Sequence, residues 1–206
     1  LDALAGHAGR LFEAMDFAFL YDERRRLFYI GHDVAADRRD PHHYDLLASE
    51  ARLASFVAIA KGDVPEEHWL QLGRPLSRVD GATSLLSWSG TMFEYLMPTL
   101  LLREGPDSLI GRACAAAVQA QIAYANRRGV PWGMSESGYY RFDAHRNYQY
   151  RAFGVPDLGF QRGLEDDLVV APYASLLALP VALPAVMANL DLLDSLGAMG
   201  RYGLYE

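Results

Sequence analysis

The pattern of hydrophobic and polar positions is clearest between residues 44 and 60, where it predicts a helix. Leu46, Leu53 and Val57 recur at helical spacing on one line, and Glu50 falls on the same line. The other sides of this helix are also apolar, and a helix that is apolar on every side is normally buried. Because a buried carboxylate is costly unless it is paired or hydrogen-bonded, Glu50 is a candidate functional group.

A short β-hairpin is predicted near the start of the chain. Aromatic and aliphatic residues at 17–21 and 27–30 flank a charged turn at 22–26, a pattern typical of two paired strands. Residues 1–40 are therefore interpreted as a lead-in that contains this hairpin, and residues 41–206 as a helical part of the same single unit.

Several helices are predicted after the hairpin. Thr91 and Glu94 have the spacing of a capping box, which opens a helix. Residues 106–129 are predicted to form a long helix that Asp107 or Ser108 caps. The segment is rich in alanine and ends in a basic last turn and a glycine. Pro172 and Pro184 suit the first turns of two further helices. The chain is thus predicted to be mainly α-helical.

The segment 130–167 is rich in Tyr, Gly and Arg and is interpreted as a long loop. Within it, Glu136 lies in a Ser- and Gly-containing turn between Trp132 and Tyr140. Loops carry function more often than helices do. Together, Glu50 and Glu136 would supply what glycoside chemistry needs, which is one carboxyl kept protonated and one ionised partner.

Structural alternatives exist for each of these acidic residues. Glu50 could be a buried carboxylate that an arginine of another helix neutralises. Glu136 could sit at a helix N-terminus that Ser135 caps. Glu94 is explained without chemistry by the capping box with Thr91, although a substrate-facing role for Glu94 stays open.

Composition and charge exclude several classes of function. The chain has 206 residues, 51% of them hydrophobic, which suffices for one domain with a substantial core. Its formal net charge of −7 argues against a nucleic-acid partner. The adjacent His42 and His43 lack further ligands at metal-binding spacing, so no metal and no other cofactor are expected. No apolar run is long and uninterrupted enough to span a bilayer.

Four runs in this order resemble the glycoamylase-like region of cyclic β-1,2-glucan synthases. They are 44–52 (YDLLASEAR), 87–98 (SWSGTMFEYLMP), 132–139 (WGMSESGY) and 153–159 (FGVPDLG). In that family the region is the cyclising domain of a large bacterial enzyme. The resemblance covers nearly the whole chain, and four motifs in order are far more specific than one.

The resemblance implies an (α/α)6 toroid, of which a chain of this length would supply about half, so a fragment of a longer protein is expected. It also implies a retaining transglycosylase that closes linear β-1,2-glucan into rings. By motif match, Glu50 would be the acid/base and Glu136 the carboxylate on the nucleophile side. The reverse assignment of these two roles stays open.

Residues that would contact the glucan share aromatic or hydrogen-bonding side chains and lie near these motifs. Aromatic rings can stack on the C–H faces of sugars, although they also fill protein cores. The candidates are Trp88, Phe93, Glu94, Tyr95, Trp132, Tyr139, Tyr140, Arg141 and Tyr148.

The resemblance also implies partners and a location, and it leaves alternatives. Glycosyltransferase and phosphorylase-like domains would share the parent chain, which would lie in the bacterial inner membrane with this domain soluble on the cytoplasmic side. The first alternative is an inverting β-1,2-glucanase or glucoamylase-like hydrolase. The second is a segment of the synthase that holds glycan without catalysis.

Overall fold

The computed structural model describes residues 1–205 as a mixed α/β structure. Helices account for 42% of the residues and strands for 20%, the strands forming several small antiparallel sheets. Two compact units are present. Unit 1 comprises Leu1–Leu47 and Ala51–Gly73, and unit 2 comprises Ala48–Glu50 and the chain from Arg74 onward. Within the described residues, no helix is both long and apolar enough to cross a membrane.

Unit 1 contains three helices and five short strands. The helices are α1 (Asp2–Ala14), α2 (Arg52–Lys61) and α3 (Glu67–Gln71). The strands are β1 (Tyr21–Asp22), β2 (Leu27–Tyr29), β3 (His32–Asp33), β4 (Arg38–Arg39) and β5 (His43–Tyr44). The β1–β2 pair confirms the predicted hairpin, and β5 adds a third strand to it.

The core of unit 1 forms where the hairpin sheet meets α2. Phe28 of β2, Ala58 of α2 and Val64 are buried together. His68 of α3 is also fully buried, and its two ring nitrogens lie 2.8 Å from the Arg26 carbonyl oxygen and from a serine hydroxyl of α2. Burial lowers the pKa of His68, so this side chain is a neutral packing and hydrogen-bonding group.

Unit 2 is built on four helices. They are α4 (Met92–Leu96), α5 (Leu109–Arg128), α6 (Pro172–Leu177) and α7 (Leu179–Ser195), with α4 packed against α5 and α6. The ends of α4 and α5 follow the predicted signals. Thr91 and Glu94 form a reciprocal capping box, the Ser108 hydroxyl accepts from the Gly111 amide, and Gly129 ends α5 in the left-handed conformation.

Three hairpins complete unit 2. They are β6–β7 (Leu76–Val79 and Ala82–Leu85), β8–β9 (Glu136–Phe142 and Tyr148–Ala152) and β10–β11 (Met199–Gly200 and Gly203–Leu204). The β8–β9 hairpin corrects the interpretation of 130–167 as a loop. A register irregularity between Tyr139 and Phe142 interrupts the regular pairing there.

The predicted fold class, a mainly helical (α/α)6 toroid or half of one, is wrong for this chain. The structure is mixed, with small sheets between the helices. One local difference lies at residues 48–50, which form a bend and a turn before α2, so Glu50 is not on a helix. Pro184 follows the kink at Ala182 and lies in the first turn of the second half of α7, as predicted.

Backbone segments approach one another closely beside α4. Ser87 and Ser89 bridge Gly159, and the Val155 amide donates to the Gly90 carbonyl. A Cβ on Gly90 would lie 2.5 Å from the Val155 carbonyl oxygen, and Gly90 has a φ of +66°. The loop that precedes α4 can therefore pack in this way only with glycine on both sides of the contact.

We expect Gly154→Ala to destabilise the chain by about 1–3 kcal/mol, because overpacking forces the backbone apart. An added Cβ at Gly154 would overlap the carbonyl group of Ser89. Gly105→Ala is the matched control, since a Cβ there meets nothing within 4 Å. Denaturant unfolding of the two variants measures the difference, and equal midpoints would contradict the close approach.

Candidate active site

Glu50 lies in the turn before α2, half-buried, with one oxygen held by its neighbour. The Ser49 hydroxyl donates to Glu50 Oε2 at 3.2 Å. Burial raises the pKa of Glu50, and the negative charges of Glu94 and Glu136 raise it further. Glu94 and Glu136 are therefore close enough to influence Glu50, whose environment favours the protonated form.

Glu136 is the first residue of β8 and follows a buried segment that side chains of three helices hold in place. The Gln121 side chain of α5 donates to the Met134 carbonyl and accepts from its amide, both at 2.8 Å. Asn189 of α7 does the same for Trp132 at 2.8 and 3.0 Å. The two side-chain amides thus pair with the backbone N–H and C=O groups of this segment, as a neighbouring strand would. The buried backbone polar groups are therefore hydrogen-bonded.

The residue before Glu136 ties the strand to α4 and α6. Ser135 Oγ accepts from the Phe93 amide at 3.0 Å, at the start of α4. The Tyr173 hydroxyl of α6 lies 2.9 Å from Ser135 Oγ and 2.8 Å from the Glu136 carbonyl oxygen. Ser135 is therefore no helix cap, and the backbone of Glu136 is fixed from two sides.

The carboxylate of Glu136 is engaged by a residue of the facing strand. Tyr150 of β9 donates its hydroxyl proton to Glu136 Oε2. Burial, followed by this hydrogen bond, raises the pKa of Tyr150, so the phenol keeps its proton at any working pH. Glu136 consequently has a permanent hydrogen-bond donor on one of its two oxygens.

Glu94 of α4 is buried, and its carboxylate accepts hydrogen bonds from the loop that precedes this helix. Its two oxygens accept from the amides of Trp88, Ser89 and Thr91 and from the hydroxyls of Ser87 and Thr91, at 2.9–3.3 Å. Burial raises the pKa of Glu94 although these bonds oppose the shift. The contacts explain its burial without catalysis, and its substrate-facing role stays a prediction.

The predicted sugar-contacting residues separate into buried and accessible sets. Tyr95 and Trp132 are buried, and the Tyr95 hydroxyl donates to the Leu85 carbonyl at 2.6 Å, which makes these two rings core residues. The accessible or half-buried candidates are Trp88, Phe93, Tyr139, Tyr140, Arg141 and Tyr148. Tyr140 and Tyr148 lie across the β8–β9 hairpin from each other, with ring centroids 6.5 Å apart.

Sequence reasoning missed Tyr150 and Tyr173. Tyr150 comes two residues after the candidate Tyr148, and this alternation of tyrosines in 148–150 is a strand signal that could have identified it. The Tyr173 hydroxyl donates to the backbone carbonyl of Glu136, which is 37 residues earlier in the chain. No local sequence pattern encodes a contact at this separation.

Comparison with known proteins places these features in a family. Residues 42–206 match the glycoamylase family, described as "Putative glucoamylase". The cyclic beta-(1,2)-glucan synthase NdvB of Rhizobium meliloti (strain 1021) is 48% identical over 193 residues, which are 94% of this chain and 7% of that protein. The chain thus spans a small part of this curated relative.

Two crystal structures share the fold. They are putative glucoamylases of Bacteroides caccae ATCC 43185 and Bacteroides fragilis NCTC 9343, each with a TM-score of 0.73 and 16% identity. Each match covers all of this chain but only 53% and 52% of the respective structure. The resemblance drawn from the four motifs is confirmed: the chain belongs to the glycoamylase family and is a carbohydrate-active domain related to cyclic β-(1,2)-glucan synthase.

Proposed function

We propose that this domain carries out cyclising transglycosylation of linear β-1,2-glucan with retention of configuration. Glu50 is the acid/base and Glu136 the nucleophile. The observation that carries the proposal is the grouping of two half-buried carboxylates with different environments. Glu50 is biased toward the protonated form by burial and by neighbouring charge, whereas a phenol donates to the carboxylate of Glu136.

In the first step, Glu136 attacks the anomeric carbon while the glycosidic C–O bond breaks. Glu50 gives its proton to the leaving oxygen, so the released part of the glucan departs as a neutral alcohol. A raised pKa suits this task, because the acid must still hold its proton near neutral pH. The product of this step is a glycosyl ester on Glu136 and an ionised Glu50.

In the second step, the 2-hydroxyl at the far end of the same glucan attacks the anomeric carbon. Glu50 accepts the proton of that hydroxyl, the ester bond to Glu136 breaks, and the ring is released. Transfer requires this hydroxyl to compete successfully with water. Accessible rings such as Trp88 and Tyr139 would hold the acceptor chain in place and exclude water from the ester.

The mass of the products tests the proposal. The full-length protein is incubated with linear β-1,2-glucan, and the products are weighed by mass spectrometry. A ring lacks one water relative to a linear chain of equal length, so ring masses are expected. If the protein leaves the glucan unchanged, the proposed activity is wrong and a role in holding glycan takes its place.

A hydrolase is the second candidate, because the structures that share the fold are described as putative glucoamylases. In this case a water molecule would replace the acceptor hydroxyl, and shorter linear chains would be the only products. The separation of the two carboxyl groups in a glucan complex also discriminates, since about 5–5.5 Å is typical of retaining enzymes and about 6.5–9.5 Å of inverting enzymes.

The partners and location are proposed from the relative. The NdvB synthase is far longer than this chain, and we propose that glycosyltransferase and phosphorylase-like domains of one polypeptide supply the linear glucan and adjust its length. The same likeness supports a parent protein at the bacterial inner membrane, with this domain on the cytoplasmic side.

A further inference from the structure

We propose that Tyr150 is a positioning residue for Glu136: its hydroxyl holds one carboxylate oxygen and orients the other toward the substrate. The proposal rests on the function given above, in which Glu136 is the nucleophile. The residue lies outside the four motifs that carry the resemblance to the synthases.

The geometry of the β8–β9 hairpin brings the two side chains together. Tyr150 pairs with Gly138, and Glu136 precedes Gly138 by two residues, so all three positions share one face of the hairpin. Tyr150 and Glu136 are thus diagonal neighbours, a separation that an aromatic side chain can bridge.

Gly138 makes room for this diagonal contact. A Cβ at Gly138 would find no atom closer than 3.9 Å, so the space above the glycine is open. The ring of Tyr150 can therefore lean along the hairpin toward Glu136 without meeting a side chain from the residue opposite it.

The hydrogen bond is directed at a single atom of the carboxylate. Tyr150 donates to Oε2 of Glu136, and within residues 1–205 no hydrogen bond engages Oε1. A carboxylate held by one oxygen loses rotational freedom about its last torsion, which presents the second oxygen in a fixed direction. Such orientation is what a nucleophile needs in order to attack one carbon of a sugar.

The surroundings of Tyr150 keep its phenol protonated, so that it can donate a hydrogen bond. Partial desolvation of the phenol group disfavours ionisation of Tyr150, and the carboxylates of Glu136 and Glu50 disfavour it further. A phenol that keeps its proton can donate a charge-assisted hydrogen bond to a carboxylate. Tyr150 therefore stays available as the donor to Oε2 of Glu136.

The backbone of Glu136 does not depend on Tyr150. Tyr173 and the Ser135 contacts fix it from the helices, and Tyr150 itself is largely exposed, with 66% of its surface accessible. Removal of the Tyr150 hydroxyl should therefore change the carboxylate and leave the strand in place, which allows a positioning role to be separated from a structural one.

The test is Tyr150→Phe in the full-length protein, with Tyr202→Phe as the matched control. Tyr202 is also exposed, at 90%, and has no role in the site. We expect kcat for ring formation to fall about 10- to 100-fold in Tyr150→Phe, as for the loss of one hydrogen bond to a charged group. KM should stay within about twofold, since the phenol acts on Glu136 and not on the bound glucan.

The split between kcat and KM supplies a readout that separates positioning from a structural role, because a displaced strand would change both constants. Tyr202→Phe should keep the wild-type kcat and KM. Thermal melting is expected to be the same in both variants.

Three results would overturn the inference. They are a wild-type kcat in Tyr150→Phe, a fall in kcat accompanied by a lower melting temperature, and a rise in KM alone, which would make Tyr150 a glucan contact. In each of them the wild-type protein still forms rings, and the proposed function stands. If the wild-type protein neither forms rings nor shortens glucan, the proposed function and the role of Tyr150 fail together.

Discussion

Glu50→Gln in the full-length protein is expected to reduce the rate of ring formation by about 10²–10⁴-fold, the usual contribution of a general acid–base residue. Glutamine has nearly the shape of glutamate but cannot give a proton to the leaving oxygen or take one from the acceptor hydroxyl. The measurement is the initial rate of ring release from linear β-1,2-glucan. Glu165→Gln is the matched control, because Glu165 is exposed and remote from these roles.

The pH dependence of the wild-type rate should carry the signature of Glu50. Burial raises its pKa above the ordinary value of a glutamate, so the protonated acid persists to higher pH than an exposed carboxyl would. The alkaline limb of the wild-type profile reports the loss of this proton, and Glu50→Gln should abolish that limb. A variant that keeps near-normal turnover and the same profile would show that Glu50 is not the acid/base.

Glu94→Gln is expected to destabilise the chain by about 2–3 kcal/mol, although it is as conservative as the change at Glu50. Both oxygens of Glu94 accept hydrogen bonds from the loop at 87–91, where Ser89 and Thr91 contribute amides. Glutamine has one acceptor oxygen, and its NH2 group would face buried donors that then have no acceptor. Denaturant unfolding of the two variants and the wild type measures the contrast.

Glu50→Gln is expected to raise stability at neutral pH. The pKa of Glu50 is higher in the folded chain than in the unfolded one, so the folded state binds this proton more tightly. The stability that the protonated group contributes is complete below the unfolded pKa and is lost as the pH rises through the folded one. The gain from glutamine should therefore vanish below about pH 4. A Glu94→Gln variant as stable as Glu50→Gln at pH 7 would contradict the assignment of Glu94 to the loop.

Helix ends were predictable from sequence because they depend on neighbours. The Thr91–Glu94 box and the Ser108 cap involve residues three apart, and Gly129 needs only its own backbone freedom. The β8–β9 hairpin could not be predicted in this way, because the irregular register near Tyr139 interrupts the alternation of side chains along the strand. The same limit led to an excessively helical fold prediction.

The candidate site could be predicted only in part, for a related reason. Glu50 and Glu136 were identified because each lies in a recognisable motif. The groups that hold them act at long range, as Gln121 does on Met134 and Asn189 does on Trp132 across 57 positions. The placement of Glu50 on a helix was wrong because apolar spacing continues through residues 48–50, which form a bend and a turn before α2 begins.

Mass analysis of Glu136 during turnover tests the proposed chemistry most directly. Wild-type protein is mixed with linear β-1,2-glucan, quenched in acid during turnover and digested, and the peptide that contains Glu136 is weighed. The retaining mechanism predicts that this peptide carries added glucosyl residues, because the glycosyl ester forms on its carboxylate. Ring formation with an unmodified Glu136 peptide, or with the sugar on another residue, would contradict the assignment of Glu136 as the nucleophile.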